Sequence, residues 1–301
     1  MNPRLTKRLP RLKERLSQSL FLIPALALLA TFVIYPVVYT VWLSFHSPSG
    51  GFSPLANYAD VLSRREIINP RGFSQGFPLG ALLHNFLWVL IHLPLTTFLG
   101  LVLAVILRNV KGGSVVKSAI FLGMVIPMIV GGLILRFMFD KYTGVVPAFL
   151  GLFGIPPKSW MVYPDTALLA LIFGSVWLWT GFSMVLYSAG LGTIPRDYYE
   201  AAMIDGASPV RIFFSITLPL LRPITIVVVT MTILWELKIF DIVYVATMGG
   251  PGGASNVLAL QMYFYAFRQL DPYRGSAVAT FLMLLTLLVV IPMIRTLREA
   301  R

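Results

Sequence analysis

The chain has 301 residues, 57% hydrophobic and 12% charged, with a mean hydropathy of +0.81 and a net charge of +12. This balance excludes an ordinary soluble domain and indicates an integral membrane protein. The basic excess does not indicate nucleic acid, because Lys and Arg gather beside apolar runs, where they set topology and meet anionic lipid; the absence of cysteine removes disulfide, thiolate and zinc-cluster chemistry.

In chain order, residues 1–18 form a basic tail, with Arg4, Lys7, Arg8, Arg11, Lys13 and Arg15 against Glu14. The apolar run 20–45 exceeds the roughly 20 residues needed to cross a bilayer, so it reads as a first span and not as a signal peptide. A Gly-, Pro- and Ser-rich loop, 47–78, follows, with an amphipathic stretch at 58–68. Spans are expected at 79–107 and 118–139, separated by a basic turn carrying Arg108, Lys111 and Lys117. A second loop, 140–165, contains Pro147, Pro156, Pro157 and Trp160 and leads into a span at 166–191. The fifth span, 223–248, and the sixth, 276–294, complete an all-α, six-helix membrane domain over 19–295, followed by a tail at 296–301. Basic residues number fifteen on the side holding both tails, the 108–117 turn and the polar stretch before span five, against seven in the other loops. Both termini are therefore expected on the cytoplasmic side.

The polar stretch 192–222 reads as two short helices joined by a tight turn. Pro195 suits a helix start, and Asp197 and Glu200 place negative charge beside its exposed amides. Gly206 suits the left-handed position after a helix end, and Ser208 followed by Pro209 signals a second start. Tyr198, Ala201, Ala202 and Asp205 recur at helical spacing, and small side chains at 201, 202 and 207 let another protein approach closely.

Within the spans each charge costs roughly 2.5–3.5 kcal/mol at a helix centre and must face protein or water. Counted from the cytoplasmic side, Arg136 and Asp241 lie at equal depth and could pair, or Lys238 and Asp241 could pair within one helix; the alternative for Arg136 and Lys238 is direct contact with a ligand. Glu236 has Thr232 one turn away and Trp235 beside it, and span four offers Ser175, Trp179 and Ser183 at four-residue steps. A carboxylate that accepts hydroxyl hydrogen bonds, next to an aromatic face, suits a neutral sugar; packing or interfacial anchoring is the plainer role for the tryptophans. His84 and His92 share one helical face and read as buried structural histidines before a proton relay. No G-x-x-x-x-G-K-[ST] loop and no catalytic set are present, so the chain reads as a non-catalytic subunit.

Glu200, Ala201, Ala202, Gly206, Ile216, Leu218 and Pro219 occupy the spacing E-A-A-x3-G-x9-I-x-L-P, and the stretch resembles the EAA signature of ABC importer permeases. The block from Phe240 to Pro251, F-D-I-V-Y-V-A-T-M-G-G-P, and the stretch from Ser175 to Tyr199 are similar to carbohydrate permeases of the maltose and glycerol-phosphate type. The resemblance implies a type I ABC importer permease fold in a prokaryotic cytoplasmic (inner) membrane. It implies ATPase coupling through Glu200, Ala201, Ala202, Asp205, Gly206 and Ala207, and a substrate-lining face at Ser175, Leu178, Trp179, Thr232, Glu236 and Ile239. The partners implied are a second homologous permease subunit, two subunits that bind ATP and Mg, an extracytoplasmic solute-binding protein, a sugar and membrane lipid. The chain itself would hold no cofactor or metal. A polyol or glycerol-phosphate ester is the alternative cargo. An ion-coupled secondary transporter, with the intramembrane acids as proton sites, is the alternative class.

Overall fold

The computed structural model describes residues 21–299, so the basic tail 1–18 lies outside the described residues. Helices joined by turns and loops make up the described residues, whose only extended pairing is a single bridge between His46 and Phe52. The main ones are α1 (Phe21–Ser44), α2 (Ala56–Ser63), α3 (Ala81–Ile106), α4 (Gly113–Val125), α5 (Met128–Met138) and α6 (Pro164–Thr193). After these come α7 (Arg196–Ile204), α8 (Pro209–Leu220), α9 (Arg222–Leu237), α10 (Asp241–Thr247), α11 (Leu258–Tyr263) and α12 (Pro272–Glu299). Four of them, α1, α3, α6 and α12, are each long and apolar enough to cross a membrane; the count rises to six if the bent pairs α4–α5 and α8–α9 are one span each.

Two expected spans are not straight helices. The run 118–139 bends by 102° between α4 and α5. Its cause is local: Pro127 cannot donate to the helix ladder, and it drives Ile126 into extended backbone at ψ 129°. The run 223–248 breaks after Leu237 and restarts at Asp241, without Pro or Gly at the break.

A distant side chain makes that second break tolerable. In a bilayer the carbonyls freed at a helix end have no water to turn to and must find protein donors. The Nδ2 group of Asn85, on α3, donates to the carbonyls of Glu236 at 3.0 Å and Leu237 at 3.4 Å. Its Oδ1 accepts from the amide of Leu258 at 2.8 Å, so one buried amide ties α3 to the end of α9 and the start of α11. Beside it, His84 Nε2 accepts from the Leu79 amide at 3.0 Å, and the Nδ1–H then donates to the Asn256 carbonyl at 2.7 Å. His84 is thereby a satisfied structural histidine.

At the centre lies α6, most of whose length is buried, with α3 its most extensive neighbour and α4 the next. Small residues permit this contact, as they do wherever helices in lipid approach closely. Gly100 of α3 sits against Ser183 and Met184, where a Cβ would collide with the Ser183 side chain and the Met184 backbone. At the other side of α6, Gly181 meets the backbone of Phe121 in α4. Outside this core, α1 is unburied along its apolar window and lies against α12. On the loop side, Asp60 of α2 accepts from Arg274 of α12 at 2.6 Å and from Arg64 at 3.0 Å, which holds its carboxyl below the usual range.

Three substitutions test this packing. Gly100→Val overfills the α3–α6 contact and should cost about 1–3 kcal/mol, seen as a lower melting temperature in detergent, whereas Gly192→Ala, with open space around it, should leave melting unchanged. Asn85→Leu strands the Leu237 carbonyl and the Leu258 amide, each worth about 1–3 kcal/mol when buried without a partner, while the Glu236 carbonyl keeps the Ile239 amide; an unchanged melting temperature would show that Asn85 does not hold the break.

Candidate functional site

The break between α9 and α10 opens one wall of a cavity of 310 Å³. The opposite walls come from Met124 and Met128 around the α4–α5 bend and from Leu178 and Trp179 of α6, while Trp235, Lys238, Ile239 and Asp241 supply the broken segment. Aromatic faces dominate the enclosure. Trp179 and Trp235 stand 6.3 Å apart with ring planes at 59°, and Phe182 packs edge-on against Trp235 at 4.7 Å. An apolar chamber with two tryptophans, a cation and an anion can stack on C–H faces and exchange hydrogen bonds with hydroxyl groups.

Of the six residues expected to line a substrate path, Leu178, Trp179 and Ile239 reach the cavity. Ser175, Thr232 and Glu236 are buried beside it and do not line it. Ser175 Oγ donates to the carbonyl of Ile172 in its own helix at 2.9 Å. Glu236, only 1% exposed, meets His92 Nδ1 of α3 at 2.7 Å through Oε1. The carboxylate expected to take ligand hydroxyls therefore faces a histidine.

The expected ion pairs are corrected. Arg136, Lys238 and Asp241 form no ion pair among the described residues. Equal depth presumed two straight helices, and the bend at Pro127 and the break at 238–240 remove that geometry. Arg136 is exposed on α5, and Lys238 and Asp241 face the cavity. Asn85, Met124 and Met128 carried no expectation from the sequence, and His92, expected as a buried histidine, is buried. The available signal was the recurrence of Asn85, Trp88, His92 and Thr96 at helical spacing on α3, a face that is fully buried.

The second constellation is the polar stretch after α6. Helix α7 ends as expected, with Gly206 at φ +72°. The amide of Ala207 reaches the carbonyl of Ala202 at 2.9 Å and that of Gly206 reaches Met203 at 3.1 Å, the paired bonds of a Schellman ending. Ser208 Oγ then caps α8 by accepting from the Arg211 amide at 3.3 Å. Glu200, Ala201, Asp205 and Gly206 are exposed, and Ala202 and Ala207 are half-buried. Around them Tyr198, Met203, Ile204 and Val210 stand 54–86% exposed, a concentration of apolar surface unusual for so polar a segment. Inward, Tyr199 anchors the stretch: Arg108 lies over its ring at 5.2 Å, and its hydroxyl accepts from Thr217 Oγ1 at 3.4 Å.

A family model described as "Binding-protein-dependent transport system inner membrane component" matches residues 96–301. A probable ABC transporter permease protein of Pyrococcus horikoshii is 56% identical over 280 residues, covering 91% of this chain and 96% of the relative. The trehalose/maltose transport system permease protein MalF of Thermococcus litoralis is 35% identical over 298 residues, with 96% and 97% covered. The alpha-glucoside transport system permease protein AglF of Rhizobium meliloti is 36% identical over 294 residues, with 95% and 83% covered. Among solved structures, a chain of a bacterial alginate ABC transporter in complex with alginate pentasaccharide-bound periplasmic protein superposes with a TM-score of 0.81 at 17% identity, covering 97% of each chain. That likeness shows a shared fold. The chain belongs to the family of binding-protein-dependent transport system inner membrane components, the permease subunits of ABC importers.

Proposed function

We propose that the chain forms half of the translocation pathway of an ATP-driven sugar importer, crossing a prokaryotic cytoplasmic membrane six times with both termini inside. A second, homologous permease supplies the other half. An extracytoplasmic binding protein delivers the sugar, and two partner subunits bind ATP and Mg and close on hydrolysable nucleotide. The observation that carries this reading is the short link between α6 and α7. The helix that lends Leu178 and Trp179 to the cavity runs to Thr193, and only Ile194 and Pro195, both in extended backbone, separate it from the exposed docking helix at Arg196. A push on α7 at Glu200, Ala201, Asp205 and Gly206 is thus delivered through a two-residue link to α6 and along it to the cavity wall. Alternating access follows when the helices rock as rigid bodies about a midplane site.

The sugar assignment draws on the chemistry of the chamber. Trp179 and Trp235 offer stacking faces, and Lys238 and Asp241 contribute opposite charges, so the wall as a whole favours a neutral polyhydroxylated solute over an ion. The names of the trehalose/maltose and alpha-glucoside relatives agree with that class.

The test is uptake of labelled maltose, trehalose and other α-glucosides into proteoliposomes holding this chain with its partner permease, ATPase subunits and binding protein. Trp179→Ala should lower the rate at saturating loaded binding protein roughly two- to tenfold, the worth of an aromatic contact of about 0.5–1.5 kcal/mol. Wild-type uptake in that variant would remove the cavity from the pathway. Glu200→Ala should leave assembly intact and abolish the stimulation of ATP hydrolysis by loaded binding protein; persistence of that stimulation would refute the role of α7.

A further inference from the structure

We propose that His92 and Glu236 act as a positioning pair, locking α3 to α9 behind the cavity so that Trp179 and Trp235 present their rings at a fixed spacing and angle. The functional consequence rests on the reading of the cavity as a sugar pathway; the mechanical claim does not.

The pair is a short, fully buried polar contact between α3 and α9. His92 Nδ1 and Glu236 Oε1 are 2.7 Å apart, with His92 fully buried and Glu236 1% exposed. Neither lines the cavity, but each touches a residue that does. The edge of the His92 ring meets Trp179 at 5.4 Å with planes at 85°, and Glu236 follows Trp235 directly in the chain. Helix α3 therefore holds the end of α9 at two points on one face, seven residues apart: Asn85 through the backbone of Glu236 and Leu237, and His92 through the Glu236 side chain. The backbone contact fixes where α9 ends. The side-chain contact fixes how α9 is rotated about its axis, and rotation is what aims Trp235.

Chemistry separates this role from the two rivals. A proton relay needs a chain of exchangeable groups, and among the described residues no hydrogen bond or ion pair links either member to a third titratable side chain. Direct contact with the sugar needs a carboxylate open to the cavity, and Glu236 is closed off from it. A buried polar pair in a span is costly; His92 Nε2 and Glu236 Oε2 have no hydrogen-bond partner among the described residues, so the Nδ1–Oε1 contact alone offsets the burial of both side chains and favours the one helix arrangement that makes it.

The experiment labels the full chain with 5-fluorotryptophan in lipid nanodiscs and assigns the Trp179 and Trp235 resonances by Trp179→Phe and Trp235→Phe. Removing one partner strands the other, so the decisive variant is the double change His92→Leu with Glu236→Leu, which replaces both partners by apolar groups. The Trp179 and Trp235 resonances should shift or split in the double variant while that of Trp160, in the outer loop, stays in place. Glu236→Gln, which preserves an acceptor for the histidine, should restore the wild-type positions. Unmoved Trp179 and Trp235 resonances in the double variant would overturn the proposal, and so would a Glu236→Gln spectrum as disturbed as the double variant. Because the readout is independent of sugar, a failed Trp179→Ala transport test would sink the pathway reading and leave this result standing.

Discussion

Much of this structure depends on one amide side chain. The Asn85 Nδ2 group donates to two backbone carbonyls and its Oδ1 accepts from a third backbone group on another segment, and so permits α9 to stop in the apolar interior without stranding the Leu237 carbonyl. The break at Lys238–Phe240 follows from that permission, the cavity wall follows from the break, and the loop leading to α11 is tethered by the same side chain. His84, one residue earlier, secures the next stretch through Asn256. A face of α3 that would otherwise merely fill space thus determines where two other segments change direction.

Around that tether the molecule is built for rigid movement. Glycine contacts on both sides of α6 leave little free volume between α3, α4 and α6, and close-packed helices held by many small contacts move together or not at all. Aromatic rings occupy the region where this body meets the broken segment, and their contacts are edge-to-face and tilted. Such contacts hold orientation through ring quadrupoles as well as through buried area.

What could be read from the residues followed the range of the forces involved. The helix–turn–helix at 192–222 was legible in full, because Pro195, Gly206 and the Ser208–Pro209 start act within a few residues of where they stand. The bend at Pro127 announces itself as a proline but not as a right angle. The break after Leu237 has no local mark, since its cause, Asn85, lies 151 residues away. Spans that are apolar on every side give weak notice of which face points inward; for that reason Glu236 was matched to a ligand and not to His92, and Arg136 was matched to Asp241. Where a side chain's partner is on another helix, its identity depends on rotations that a single chain of letters does not encode.

The contact between Arg108 and Tyr199 gives the exposed loop a second foot. One foot is the covalent path from α7 back into α6; the other runs through the Tyr199 ring to Arg108, just beyond the end of α3. A lever pinned at one point pivots, whereas one pinned at two transmits torque. Under the proposed function, load applied to α7 would therefore reach α3 and α6 together, two helices packed through Gly100 against Ser183 and Met184, and that pair would turn as a block with little shear along the seam.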